Sequence, residues 1–147
     1  MKCTRTRTLR GMIEVDGTPI RHQLILDDGR INNGLKIVAF EMWTTSSGNQ
    51  VGIDATLSLA IMDGGGPTMD ASDNRQIAWT TGGFDNAIIS MTYRSFVDPD
   101  HVVNRDLFIT ADASDGQWNY LIIAEEYELS DDEAIVQIIK ETSQNAD

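Results

Sequence analysis

The chain has 147 residues, of which 41% are hydrophobic and 23% charged, enough for one compact domain and too short for the two-domain layout common among enzymes. Eleven Lys and Arg against twenty-three Asp and Glu give a formal net charge of -12, a balance that argues against direct nucleic-acid binding and against an anionic membrane as partner. Cys3 is the only cysteine, which excludes an intrachain disulfide framework and a thiolate metal cage while leaving the compartment open.

Residues 1–10 carry Lys2, Arg5, Arg7 and Arg10 and read as a basic N-terminal arm. No apolar core of a signal peptide follows them. The longest apolar runs, such as Ile37 to Phe40 and Tyr120 to Ala124, fall far short of the ~20 residues of a membrane helix, so a soluble chain is expected. Residues 1–40 hold seven Lys and Arg against four Asp and Glu, whereas residues 41–147 hold four against nineteen. Such a layout allows head-to-tail pairing between copies, although charge that merely keeps the domain soluble has the same appearance.

From Thr8 onward the apolar residues recur with a period near two between clusters of Gly, Asn and Asp, the pattern of strands joined by turns. Thr8 to Val15 and Ile20 to Leu26, separated by Asp16-Gly17-Thr18-Pro19, predict a hairpin. Leu35 to Thr45 is a third strand candidate. Val51 to Met62 places Val51, Ile53, Ala55, Leu57, Leu59 and Ile61 on one face. Asp63 to Asn74 reads as a long loop. Arg75 to Thr81 follows as a short strand, Gly82-Gly83 as a turn, and Asn86 to Val97 as a longer strand with Ile89, Met91, Tyr93 and Ser95 on one face. Val102 to Ala111 and Gln117 to Leu129 complete a set of about eight strands. The expected fold is a single all-β domain, a sandwich or jelly roll.

The period then changes. Ser130-Asp131-Asp132-Glu133 has the S-x-x-E form of a capping box, and Ile135, Ile138, Ile139 and Thr142 follow at helical spacing. A C-terminal α-helix is expected over 131–143. Its apolar face should dock on the sheet or on a neighbouring subunit.

Motifs of catalysis are missing from the string: it has no G-x-S-x-G elbow, H-E-x-x-H helix, G-x-G-x-x-G turn or Walker loop. His22 and His101 are the only imidazoles, and neither lies in a motif. Gly64-Gly65-Gly66 lacks the Lys-Ser/Thr that a phosphate loop requires and reads as a turn. Asp70 to Asn74, Asp98 to Asp100 and Asp112 to Gly116 each offer paired carboxylates, but none has EF-hand spacing, and Asp is an ordinary turn residue. No metal and no cofactor is expected. Glu125 or Glu126 could join a glycosidase-like carboxylate pair, as any acidic β domain would permit. The aromatic residues Trp43, Trp79, Trp118, Tyr93, Tyr120, Phe84 and Phe96 either fill the core and subunit contacts or stack on a sugar. Of these Trp79, at the end of a short strand beside a Gly-rich turn, is the expected contact residue.

The string from Asn119 to Ile135, NYLIIAEEYELSDDEAI, resembles the strand-to-helix ending of small structural proteins of marine and metagenomic bacteriophages. The resemblance covers 17 residues and carries no functional residue with it. It implies a capsid, cement or connector-like role in a virion. The expectation is therefore a non-enzymatic virion protein that forms homo-oligomers and touches other virion proteins, with Arg5, Arg7, Arg10, Trp79, Ile135, Ile138 and Ile139 as interface residues. A carbohydrate-binding or lectin-like module is the alternative. A small β-barrel enzyme would require His22, His101 or a carboxylate pair to converge.

Overall fold

The computed structural model describes residues 1–16, 19–26, 32–45, 52–61, 69–85 and 90–145. Among these, the chain forms β1 (Lys2–Val15), β2 (Ile20–Leu24), β3 (Asn33–Thr44), β4 (Gly52–Ser58), β5 (Gln76–Asp85), β6 (Ser90–Val97), β7 (Val102–Val103), β8 (Leu107–Ala113), β9 (Gly116–Glu128) and α1 (Asp131–Asn145). Two antiparallel sheets result, one in the order β1-β9-β3-β7 and the other in the order β2-β8-β4-β5-β6. They face each other as a β-sandwich, so the expected all-β sandwich with a C-terminal helix is the fold.

Alternation decides which side chains enter the core. Ile13 and Val15 of β1, Trp118, Tyr120, Ile122 and Ala124 of β9, and Leu35 and Ile37 of β3 are buried on the inner side of the first sheet. From the other sheet come Ile53, Ala55 and Leu57 of β4 and Leu107, Ile109 and Ala111 of β8. Each large aliphatic side chain enclosed in this way contributes about 1.5–3 kcal/mol. In β3 the phase slips at a bulge between Ile37 and Ala39, so burial passes from Leu35 and Ile37 to Phe40 and Met42 while Val38 is exposed.

Several polar groups inside the sandwich are hydrogen-bonded. β7 covers β3 only at Leu35 and Lys36, and farther along the strand the Phe40 carbonyl accepts a hydrogen bond from the Thr80 hydroxyl of the opposite sheet at 2.8 Å. The buried Trp118 donates its indole N–H to the Ser114 carbonyl at 2.9 Å. On the other flank, Tyr120 Oη lies 3.4 Å from His22 Nε2, with ring centroids 5.4 Å apart.

Three strand expectations are corrected. Thr8 to Val15 and Ile20 to Leu26 do not form a hairpin: β1 pairs with β9 and β2 with β8, so the chain changes layer between them. The turn residues specify a reversal but not the partner, and on opposite layers both Val15 and Leu24 are buried. Gly82-Gly83 is not a turn, because β5 runs through it with Gly82 paired to Ile53 on one side and Tyr93 on the other. Ladders on both flanks outweigh the roughly 0.5–1 kcal/mol that glycine loses within a strand. Val102 to Ala111 is two strands in different sheets. At the corner between them the Asp106 carboxylate accepts the Leu26 N–H at 2.8 Å and the Gln23 amide at 3.0 Å, fixing the bend to the end of β2. In β4, Ile53, Ala55 and Leu57 are buried on one face as expected, Thr56 and Ser58 on the other face are buried too, Leu59 is buried just past the strand and Ile61 is exposed, and Val51, Gly64-Gly65-Gly66 and Ile89 lie outside the described residues.

Helix α1 begins at a complete capping box: Glu133 N–H donates to Ser130 Oγ at 3.2 Å and Ser130 N–H to Glu133 Oε1 at 3.1 Å. Ala134 buries against Val102 and Leu129, and the Gln137 amide donates to the Val102 carbonyl. The Met1 ammonium meets Glu133 Oε1 at 3.1 Å, which joins the helix to the start of β1. No helix among the described residues is long and apolar enough to cross a membrane.

Candidate functional site

The residues expected at interfaces do not form one cluster. Arg5 and Arg7 are in phase with Leu9, Ile13 and Val15, so they continue the inner face of β1 beyond the apolar core. Glu126 continues the inner face of β9 in the same way and is the register partner of both Arg5 and Leu35. At this end of the sandwich the facing side chains therefore change from aliphatic to ionic. Arg5, Arg7, Leu35, Asn104, Arg105 and Glu126 line an open cavity of about 560 Å³.

Arg5 engages Glu126 with both Nε and Nη2, the latter 3.1 Å from Oε1, and Arg7 Nη1 reaches the same oxygen at 3.4 Å. These donors hold the Glu126 carboxyl below its ordinary value, chiefly through the Arg5 hydrogen bond, against the opposing effect of desolvation. Two guanidinium groups on one carboxylate, with Arg105 also lining the cavity, make a locally basic concavity on a chain of net charge -12. Such a surface can take an oxyanion, with Arg7 offering the N–H groups that Glu126 does not use. Neither histidine lines it.

Arg10 belongs to a different surface. Following the ladders across the first sheet, Arg10 pairs with Leu121 and Leu121 with Glu41; in the next outward row Met12 pairs with Asn119 and Asn119 with Trp43. Met12 is 51% exposed and Trp43 40% exposed, while Leu121 and Ile123 beside them are half-buried. The outer face of this sheet is thus apolar at its centre, with Arg10 and Glu41 exposed on opposite sides. Helix α1 docks near the far end of the same face, at Val102 and Leu129.

On α1 itself, Ile135, Ile138 and Ile139 are between 39 and 58% exposed. The small Ala134 and the amide of Gln137 make the docking contact, so the isoleucine stripe points away from the sheet. Trp79 is half-buried on the outer face of the second sheet, where its indole N–H donates to Gln76 Oε1 at 2.7 Å and its register partner on β6 is the exposed Phe96.

The remaining candidates have local explanations. Asp70 accepts from the Ser72 N–H and hydroxyl, and Asp73 accepts from the Arg75 backbone and guanidinium, so both carboxylates complete a turn before β5. Asp98 likewise accepts from the Asp100 N–H. Among the described residues no group of three or more His, Cys, Asp or Glu is placed to hold a metal ion. Trp118 and Tyr120 belong to the core, Tyr93 is half-buried, and the Phe84 side chain lies outside the described residues. Arg105, Met12, Glu41 and Leu121 escape a motif search because no local pattern marks them, and Glu126, named as one of a possible carboxylate pair, stands instead as the partner of Arg5 and Arg7. The strand phase does carry the signal: Arg5 and Arg7 share the parity of Ile13, and Glu126 that of Ile122.

Compared with known proteins, the chain matches no family model, no curated sequence and no solved structure.

Proposed function

We propose that this chain is a non-enzymatic structural protein of a virion, located in the particle and acting by self-association and by contact with neighbouring virion proteins. The observation that carries the reading is the outward isoleucine stripe of α1. Its capping box and its Ala134 contact place the helix, yet Ile135 and Ile139 are more than half exposed. A docked helix with its apolar side exposed is suited to burial against another chain, where the hydrophobic contribution is gained on assembly rather than on folding. A single sandwich repeated by symmetry, with its contacts on separate faces, is a workable shell or connector unit.

Sedimentation velocity of the full chain tests the association. Species heavier than the protomer are expected, and Ile135→Glu/Ile139→Glu should reduce them while the β-sheet circular dichroism is unchanged. A protomer at every concentration overturns self-association. Mass spectrometry of particles released from cells that make the protein tests its location, and its absence from them overturns the virion assignment.

One observation favours a second reading, a carbohydrate-binding module. The half-buried Trp79 and the exposed Phe96 are register partners on the outer face of the second sheet, beside Thr81, whose hydroxyl donates to Asp54 at 2.7 Å. Aromatic planes next to polar groups suit sugar stacking. Binding on a glycan array that is lost in Trp79→Ala supports this reading, and an array with no signal removes it.

A further inference from the structure

We propose that the outer face of the β1-β9-β3-β7 sheet is a homodimer interface, in which a second copy of this chain packs face to face about a two-fold axis running along β9. This rests on the self-association reading and names the surface.

The argument comes from the register. Of the rows that cross the face, Arg10–Leu121–Glu41 and Met12–Asn119–Trp43 lie farthest from α1, with β9 in the middle of each, while Thr8–Ile123–Ala39 and Thr6–Glu125–Lys36 follow toward the helix end. A two-fold axis parallel to β9 and lying in front of the sheet exchanges β1 with β3 and leaves positions along the strand unchanged. Leu121 then meets its own copy. Arg10 meets Glu41 of the second copy, and Glu41 meets its Arg10, so both charges are matched twice. Met12 meets Trp43 in the same manner, a thioether against an indole, which is a favourable pairing. Face-packed sheets stand about 10 Å apart, a gap that an arginine and a glutamate extending from opposite sides can bridge. A two-fold axis across the strands through Leu121 instead sets Arg10 against Arg10 and Glu41 against Glu41. The Arg10 and Glu41 charges therefore select the first arrangement, with the axis inclined so that the two faces meet at the Leu121 and Trp43 rows and stand apart at the end that carries Glu125 and α1.

Its components have the exposure that such a contact requires. Met12, Trp43, Arg10 and Glu41 are all exposed, and Leu121 and Ile123 are half-buried between them. The open part of the face is three strands wide at about 4.8 Å per strand, so the interface is at the small end for stable pairs and the dimer is concentration-dependent.

The test is a charge exchange on the full chain, read by sedimentation velocity at low salt. Wild type is expected to dimerise. Arg10→Glu leaves acids at both positions, and Glu41→Arg leaves bases at both, so each variant alone should self-associate at least about 10-fold more weakly. An equimolar mixture of the two variants should form a heterodimer, because acidic and basic faces then match on both sides of the axis. The double variant Arg10→Glu/Glu41→Arg should regain the wild-type dimer. Met12→Lys is an independent check that keeps both original charges and should also give protomer. All three positions touched are exposed, and unchanged thermal unfolding of each variant verifies that it is folded. A wild-type dimer indifferent to these substitutions, or variants that fail to pair when mixed, overturns this interface and leaves self-association standing. A wild-type chain that is monomeric throughout overturns both.

Discussion

Gly11 and Tyr120 are register partners on adjacent strands, and the tyrosine ring occupies the space that a side chain at Gly11 would fill. A Cβ placed on Gly11 would come 2.6 Å from Tyr120 Oη and 2.8 Å from Cζ. The ring thus covers bare backbone on β1 while its hydroxyl faces His22 across the sandwich. Gly11→Val should displace the ring and destabilise the fold by about 1–3 kcal/mol, the range for overpacking. Urea unfolding measures it. The same substitution should cost less in a Tyr120→Leu background, since the two effects share one contact.

Ser130→Ala removes the hydroxyl that accepts from the Glu133 N–H. The expected loss is about 0.5–2 kcal/mol, as for other N-caps. Among the described side chains of α1 Ala134 is the buried one, so the change should appear as faster amide exchange in the helix, with the strands of the sandwich unaffected.

Acid should weaken the ionic end of the sandwich before its core. The Glu126 carboxyl lies below its ordinary value of 4.5, chiefly because Arg5 hydrogen-bonds its charged form. A depressed folded value means that the contribution is complete above 4.5 and is lost as pH falls through the lower folded value. Glu133 is depressed as well, first by the Ser130 N–H and then by the Met1 ammonium, and its contribution has the same sign. Denaturation followed between pH 7 and pH 3 should show a loss confined to the acid side, and Glu126→Gln should flatten part of it.

Glu126→Gln also takes away the carboxylate that Arg5 and Arg7 share. Their guanidinium groups then need another counter-charge. Sulfate should raise the melting temperature of this variant more than that of wild type, when each is compared with chloride at equal ionic strength.

Much of this architecture was legible in local chemistry, and what was not depends on partners distant in sequence. The alternation of Ile53, Ala55 and Leu57 with Asp54, Thr56 and Ser58 marks a strand because only one of its faces is apolar, and the capping box marks the helix start because both of its hydrogen bonds close within four residues. Layer membership has no such local mark. Whether Ile20 pairs with β1 or, as it does, with Ala111 is decided by which arrangement buries Leu24 and Ile109 together. The outward stripe of α1 was open for a related reason: periodicity gives a helix an apolar side, but the small Ala134 proved to be the residue that fits against Val102. Charge alone makes Arg10 an expected interface residue, whereas Glu41 stands in the same row only through the ladder across Leu121.

The hydrogen bond from Thr80 to the Phe40 carbonyl has a mechanical consequence. It stitches the two layers at the margin where β3 approaches β5, while the opposite margin meets through the longer Tyr120–His22 contact. Loosening of the sandwich should therefore start at β1 and β2 and swing about the stitched margin, as a book opens from its free edge and turns on its spine.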